Sequence, residues 1–194
     1  MEKKLDYGRI GEKAAELELL KHGIEVINLN DFRNNYENAD LICMNRKTGK
    51  SVMIQVKLGK THNILTGLTS ELDGTIPDLE HKVIGPWIFV KTDDELKTMD
   101  FYILTKEETI ELIKTSCDWY ANGWNRQLKS KPMIGIEVDW LEGNSSAASK
   151  PNAKKQHPEY KSTLSETSRD KWEKITDNRF IVLMLLKICA ILQQ

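Results

Sequence analysis

Asp40, Gln55 and Lys57 are the residues of this chain whose types and spacing can do chemistry together. Gln55 and Lys57 stand two apart in the run Ser51-Val-Met-Ile-Gln-Val-Lys57, and Asp40 opens the run Asp40-Leu-Ile-Cys-Met44. Apart from a few polar residues both runs are apolar on both faces, the pattern of strands covered on both sides. Between them Asn45-Arg-Lys-Thr-Gly-Lys50 carries a late glycine and reads as a hairpin turn. Side chains alternate across a strand, so Gln55 and Lys57 share a face and Val56 takes the other. A register that sets Asp40, Ile42 and Met44 beside Met53, Gln55 and Lys57 makes the opposite face wholly apolar: Leu41, Cys43, Val52, Ile54 and Val56. Asp40, Gln55 and Lys57 then gather at the open end of the hairpin. A turn that pairs residue 45 with residue 51 would set Asp40 against Val56 instead, and would need a bulge to restore the cluster.

An Asp at a strand start and a Gln-x-Lys on a strand are each common alone. Gathered at one edge of a buried sheet, a carboxylate, an amide and an ammonium are costly to desolvate, and a site explains them better than packing. Magnesium takes hard oxygen ligands, often one or two carboxylates with waters and a substrate phosphate. Asp40 offers a carboxylate, Gln55 a side-chain oxygen and Val56 a backbone carbonyl, a candidate set for Mg²⁺ or Mn²⁺. A metal there would lower the pKa of a bound water and neutralise charge on a scissile phosphate. Lys57 would orient that water or steady the charge that builds on the phosphate oxygens.

Several elements must hold these residues. Residues 8–22 read as a helix with Ile10, Ala14, Leu17 and Lys21 on one stripe, closed by Gly23 as a left-handed cap. Ile24 to Leu29 reads as a first strand, and Asn30 to Asn38 as a polar loop. Residues 58–82 read as loop-rich, because Gly59, Gly67, Gly74 and Pro77 break any long helix. Residues 86–91 and Phe101 to Leu104 are further strands, and Met133 to Val138 another. Thr105 with Glu108 forms a capping box for a helix reaching Lys114. The fold class expected is α/β, a central mixed sheet flanked by helices.

With 194 residues the chain is read as one domain, 1–142, followed by a flexible linker over 143–169 and a helical tail over 170–194. The linker stretch is rich in Ser, Ala, Lys, Asn and Pro, and Trp172 is an anchor beyond it. Residues 179–192 are apolar around most of a helix, which is rarely left in water. The run is shorter than the ~20 residues of a membrane span, so burial on its own domain or in a homodimer is expected, and no membrane. A net charge of −1 excludes a coat-like nucleic-acid binder but not an enzyme with a local basic patch. Three scattered cysteines fit neither a disulfide framework nor a paired zinc site, and no secretion signal opens the chain. A reduced, cytoplasmic protein is expected. Lys60, His62 and the clusters Arg46/Lys47/Lys50 and Arg126/Lys129/Lys131 are minor candidates for phosphate contact, more simply read as solvated. Trp87, Trp119, Trp124 and Trp140 are read as core or interface rather than base-stacking platforms.

Residues 8–58 resemble the PD-(D/E)XK, or restriction-endonuclease-like, nuclease superfamily in its QxK variant. The matching stretches are Gly8-Arg-Ile-Gly-Glu-Lys-Ala-Ala-Glu16, Gly23-Ile-Glu-Val-Ile27, Asn38-Ala-Asp-Leu-Ile42 and Ile54-Gln-Val-Lys57. The resemblance implies a restriction-endonuclease-like core and a metal-dependent nuclease, acting on DNA or else RNA. It places the family aspartate on Asp40, the (D/E/Q)-x-K motif on Gln55 and Lys57, and the acidic residue of the first helix on Glu12. The resemblance, not periodicity, selects Glu12 over Glu16. Two departures stand out: Ala39 replaces the usual proline, and Gln55 replaces the commoner acid. The second removes one negative charge from the metal site, which lowers cation affinity unless Glu12 compensates. A catalytically inactive DNA-binding or protein-interaction module is the alternative that this change feeds.

Overall fold

The computed structural model describes residues 6–32, 36, 38–46, 49–60, 63–122, 131–138 and 163–176, with side chains not described at 119–122, 163 and 176. Helix α1 (Tyr7–Lys21) starts where the Asp6 carboxylate accepts from the Arg9 N–H, at 3.2 Å. It ends at Gly23, whose φ of 73° is left-handed, with Gly23 N–H on Leu20 O and Ile24 N–H on Leu19 O. Strand β1 (Glu25–Asn28) and a 3₁₀ turn (Leu29–Asp31) lead to β2 (Leu41–Asn45) and β3 (Lys50–Gly59).

Next come β4 (Asn63–Thr69), the single-turn helix α2 (Leu79–Lys82), β5 (Trp87–Thr92), β6 (Met99–Leu104) and helix α3 (Lys106–Asn122). After β7 (Met133–Val138), the chain is described again at β8 (Thr163–Leu164) and the short helix α4 (Glu173–Thr176). A five-stranded mixed sheet runs β1-β2-β3-β5-β6, with β3 and β5 parallel and the other pairs antiparallel. A second sheet of three strands runs β4-β7-β8. The chain is thus α/β, with a central mixed sheet flanked by helices.

The hairpin pairs Asn45 with Lys50 and Leu41 with Ile54, so Leu41, Cys43, Ile54 and Val56 share one face. That face packs on Ala15 and Leu19 of α1 and on Trp172 and Ile175. Trp87, Phe89, Tyr102 and Leu104 look the other way, into a second core with α3, β4 and β7. Cys43 belongs to the first core and Cys117 to the second; burial pushes the Cys43 thiol up to about 12 and the Cys117 thiol up to about 11. Neither is a nucleophile at neutral pH.

Three sequence expectations differ from the structure. The stretch 58–82 holds β4 and α2 rather than loop alone. Gly67, read as breaking any long helix, does so, but it has a φ of 80° within β4, where the pairing with β7 shifts register between Leu65 and Thr69. It marks a bulge, which needs that conformation, and not the end of the strand. Helix α3 runs on to Asn122 instead of stopping at Lys114. Its polar residues Thr115 and Ser116 are absorbed, since Thr115 Oγ1 bonds Glu111 O at 2.9 Å and Ser116 Oγ bonds Gly135 O at 2.9 Å.

Residues 163–169, assigned to the flexible linker, form β8 and a turn that lies along β6. Ile103 N–H donates to Ser168 O and Asp170 N–H to Phe101 O, at 2.8 and 2.9 Å, and Arg169 bonds Asp100. The apolar run 179–192 lies outside the described residues. Among the described residues no helix is long and apolar enough to cross a membrane.

Candidate active site

Strand β2 begins one residue after Asp40, while β3 continues to Gly59. From Gln55 onward β3 is paired on the β5 side, Gln55 with Trp87 and Lys57 with Phe89, and its other edge opens beyond the end of β2. Asp40 fills the first gap in that edge. Its own N–H donates to Ile54 O at 2.8 Å, and its Oδ2 accepts the Val56 N–H at 2.7 Å. The same Oδ2 accepts from Gln55 Nε2. A carboxylate, and not a backbone carbonyl, therefore receives the Val56 N–H. The Val56 carbonyl leaves the strand on that same edge, because both polar groups of a strand residue point one way.

Glu12 arrives from α1. Gly11 makes this possible: a Cβ built there would stand 2.7 Å from Leu58 Cβ, so the helix crosses β3 at a distance only glycine allows. Glu12, Asp40 and Gln55 are 9%, 7% and 8% exposed. Asn30, from the 3₁₀ turn, joins the two carboxylates. Its Nδ2 donates to Glu12 Oε1 at 3.0 Å and to Asp40 Oδ1 at 3.2 Å. Its Oδ1 accepts the Tyr36 N–H at 3.2 Å, which fixes which end of the amide is the donor. Glu12 Oε2 is buried with no hydrogen-bond partner.

The charges are strained in the way a site would strain them. Burial raises the Glu12 carboxyl above its ordinary value; the Asn30 hydrogen bond lowers it, and the Asp40 charge raises it again. Burial lowers the Lys57 ammonium, against the pull of Asp40 and Glu12. Its Nζ sits 5.6 Å from the centroid of the Trp87 ring. These groups, with Gly67 of β4 and Lys82 of α2, line one cleft of about 290 Å³.

All four residues named for chemistry, Glu12, Asp40, Gln55 and Lys57, thus line this cleft; Val56 does not line it, and its N–H is bound to the Asp40 carboxylate. Asn30, Trp87 and Lys82 join them without having been singled out as site residues. Asn30 was hidden in an asparagine-rich loop, and only its fold-dependent reach to two carboxylates marks it. Lys60 stands 4.2 Å from the Tyr7 ring, and His62 lies outside the described residues. Arg46 pairs with Glu25 and Lys131 with Glu71, while Lys47, Arg126 and Lys129 lie outside. The side chains of Trp119, Trp124 and Trp140 also lie outside.

The donor set fits a hard divalent cation in one respect that the structure itself provides. Glu12 Oε2 is a buried carboxylate oxygen that makes no hydrogen bond, although the Asn28 amide also acts to lower that carboxyl, and Asn30 links Glu12 to a second carboxylate. Among the described residues no group of three or more His, Cys, Asp or Glu side chains is gathered as ligands. Among the described residues, the Gln55 side-chain amide and the Val56 backbone carbonyl are neutral oxygens beside the two carboxylates.

Comparison with known proteins adds little. No protein-family model matches the chain, and no curated protein matches it. Among solved structures, the bacterial homing endonuclease I-Ssp6803I is similar over 54% of this chain and 70% of its own, with 20% sequence identity and a TM-score of 0.36. A likeness at that level carries no argument about activity.

Proposed function

We propose that the chain is a Mg²⁺- or Mn²⁺-dependent nuclease that hydrolyses phosphodiester bonds, with DNA as the substrate. The observation that supports this most is the convergence, in one cleft, of two buried carboxylates, a desolvated lysine and a carboxylate oxygen without a partner. Packing alone does not account for a desolvated ammonium and an unpartnered carboxylate oxygen beside a second buried carboxylate. Glu12 and Asp40 would hold the cation, with Gln55 Oε1 and the Val56 carbonyl as neutral oxygens. A bound cation would supply an acidified water and charge neutralisation at the phosphate. Lys57, held over Trp87 and facing Asp40 and Glu12, would position the attacking water and steady charge on the phosphate oxygens. Lys82 brings a second positive charge to the wall of the same cleft. DNA is favoured over RNA by the resemblance to the QxK nucleases.

The test is incubation with supercoiled, linear and single-stranded DNA in Mg²⁺ or Mn²⁺. Asp40→Asn and Lys57→Ala should each lower cleavage by at least about a hundredfold while the circular dichroism spectrum stays unchanged. Cleavage by Asp40→Asn at the parental rate would refute the assignment. A second reading, an inactive module that binds DNA or a protein, has one observation behind it. Gln55 turns its amide N–H toward Asp40 and supplies no charge to a cation. Retention of DNA binding with no cleavage of any substrate would favour that reading.

A further inference from the structure

Asn30 stands where two negative groups would otherwise face each other. One nitrogen, Nδ2, donates at once to Glu12 Oε1 at 3.0 Å and to Asp40 Oδ1 at 3.2 Å. An amide N–H₂ bridging two carboxylates does part of what a cation does: it brings positive partial charge between them. A cation held by the same two carboxylates would need that space. We infer that the Asn30 side chain is a place-holder for the metal, which occupies the gap between Glu12 and Asp40 in the free protein and swings out when the cation enters. The inference rests on the metal site proposed above and adds a residue that competes with the ion instead of ligating it.

The arrangement also ties the ion to the mouth of the cleft. Asn30 is held at its other end by the Tyr36 N–H, and its own N–H donates to Asn28 Oδ1 at 3.0 Å. Tyr36 lines the cleft. Moving the amide out of the gap takes the acceptor away from Tyr36, so the backbone at Tyr36 responds to occupancy of the site. Asn30 is a positioning residue in this scheme, and touches no substrate.

Place-holding and ligation make opposite predictions. If Asn30 competes, its removal destabilises only the free site, and the cation binds more tightly. If Asn30 ligates, its removal weakens binding. The experiment is calorimetric titration of the full chain with Mn²⁺, for the parent, Asn30→Ala and Asp40→Asn, beside ¹H–¹⁵N spectra of the parent titrated with Mg²⁺. We expect Asn30→Ala to bind Mn²⁺ roughly tenfold more tightly, on the scale of one hydrogen bond to a charged group. In the parent, the Asn30 side-chain amide and the Tyr36 backbone amide should both shift on saturation. Equal or weaker Mn²⁺ binding by Asn30→Ala overturns the inference and leaves the metal site standing. If Asn30→Ala does not fold, the parental spectra decide: an unmoved Asn30 side-chain amide at saturating Mg²⁺ overturns it. A parent that binds no Mn²⁺, like Asp40→Asn, removes both the inference and the metal site beneath it.

Discussion

Glu12 shows what the cleft costs. Its carboxyl is raised above 4.5, chiefly by burial, so the folded chain holds that proton more firmly than the unfolded chain does. The stability tied to Glu12 is therefore fully present below its unfolded value and is lost as pH rises through the higher folded value. At neutral pH the ionised, half-satisfied Glu12 works against the fold. Glu12→Gln removes the charge and keeps an oxygen for Asn30. In a chelating buffer its melting temperature should exceed the parent's at about pH 8, and the advantage should vanish near about pH 4. Thermal melts across that range check the sign, and an advantage that grows as pH falls would contradict it. The same substitution should weaken Mn²⁺ binding, so stability and function pull apart at one residue.

Among elements, the β2–β3 hairpin was the most legible in sequence. Alternation left one arrangement in which Leu41, Cys43, Ile54 and Val56 are all buried, and a slip of one residue would have turned each of them outward. The strand β4 was not legible, because a glycine in a bulge looks like a glycine in a loop. Asn30 was not legible either: nothing local in Leu29-Asn-Asp31 distinguishes a bridge between carboxylates from a solvated turn. The contact between α1 and β3 lies between these cases. The Gly11-Glu12 pair is visible in sequence, but that Gly11 is pressed against Leu58 is a property of the fold. Gly11→Ala should push α1 off β3 and cost about 1–3 kcal/mol. Urea denaturation measures this. Because Glu12 moves with the helix, the variant should also bind Mn²⁺ more weakly than the parent.

At the scale of the whole molecule, the chain beyond residue 142 is part of the same body, at least where it is described. Trp172 packs its ring against Phe101 and stacks on His22, with centroids 5.4 and 5.2 Å apart, and Lys174 Nζ reaches Glu108 at 2.8 Å. The compositional shift at 143 predicted a linker, and composition does not reveal that a few residues within it will return to a sheet edge. The apolar run 179–192 remains a proposal: it covers an apolar surface, on its own domain or between two copies in a homodimer. Deleting residues 179–194 should lower the denaturation midpoint or halve the mass seen by light scattering, and should spare Mn²⁺ binding. A deletion that changes neither midpoint nor mass would show that the run has no structural part.

The return of Ser168 to Asp170 along β6 has a consequence for how this protein can be divided. Strand β6 is the last strand of the five-stranded sheet, and these residues take up the backbone groups of Phe101 and Ile103 that would otherwise be open to another chain. A bare strand edge is a template for the wrong partner. A fragment ending at residue 142 would therefore be sticky, although composition marks that point as a natural boundary. Supplied separately, a peptide of residues 160–194 carries the complement: the strand Thr163–Leu164, the Arg169 guanidinium for Asp100 and the Trp172 ring for its aromatic slot. The two pieces should behave as a split protein. Produced alone, the first should aggregate; produced together, they should co-purify as a one-to-one complex that melts in a single transition. Recovery of a stable, monodisperse 1–142 fragment without the peptide would mean that the clasp on β6 is dispensable.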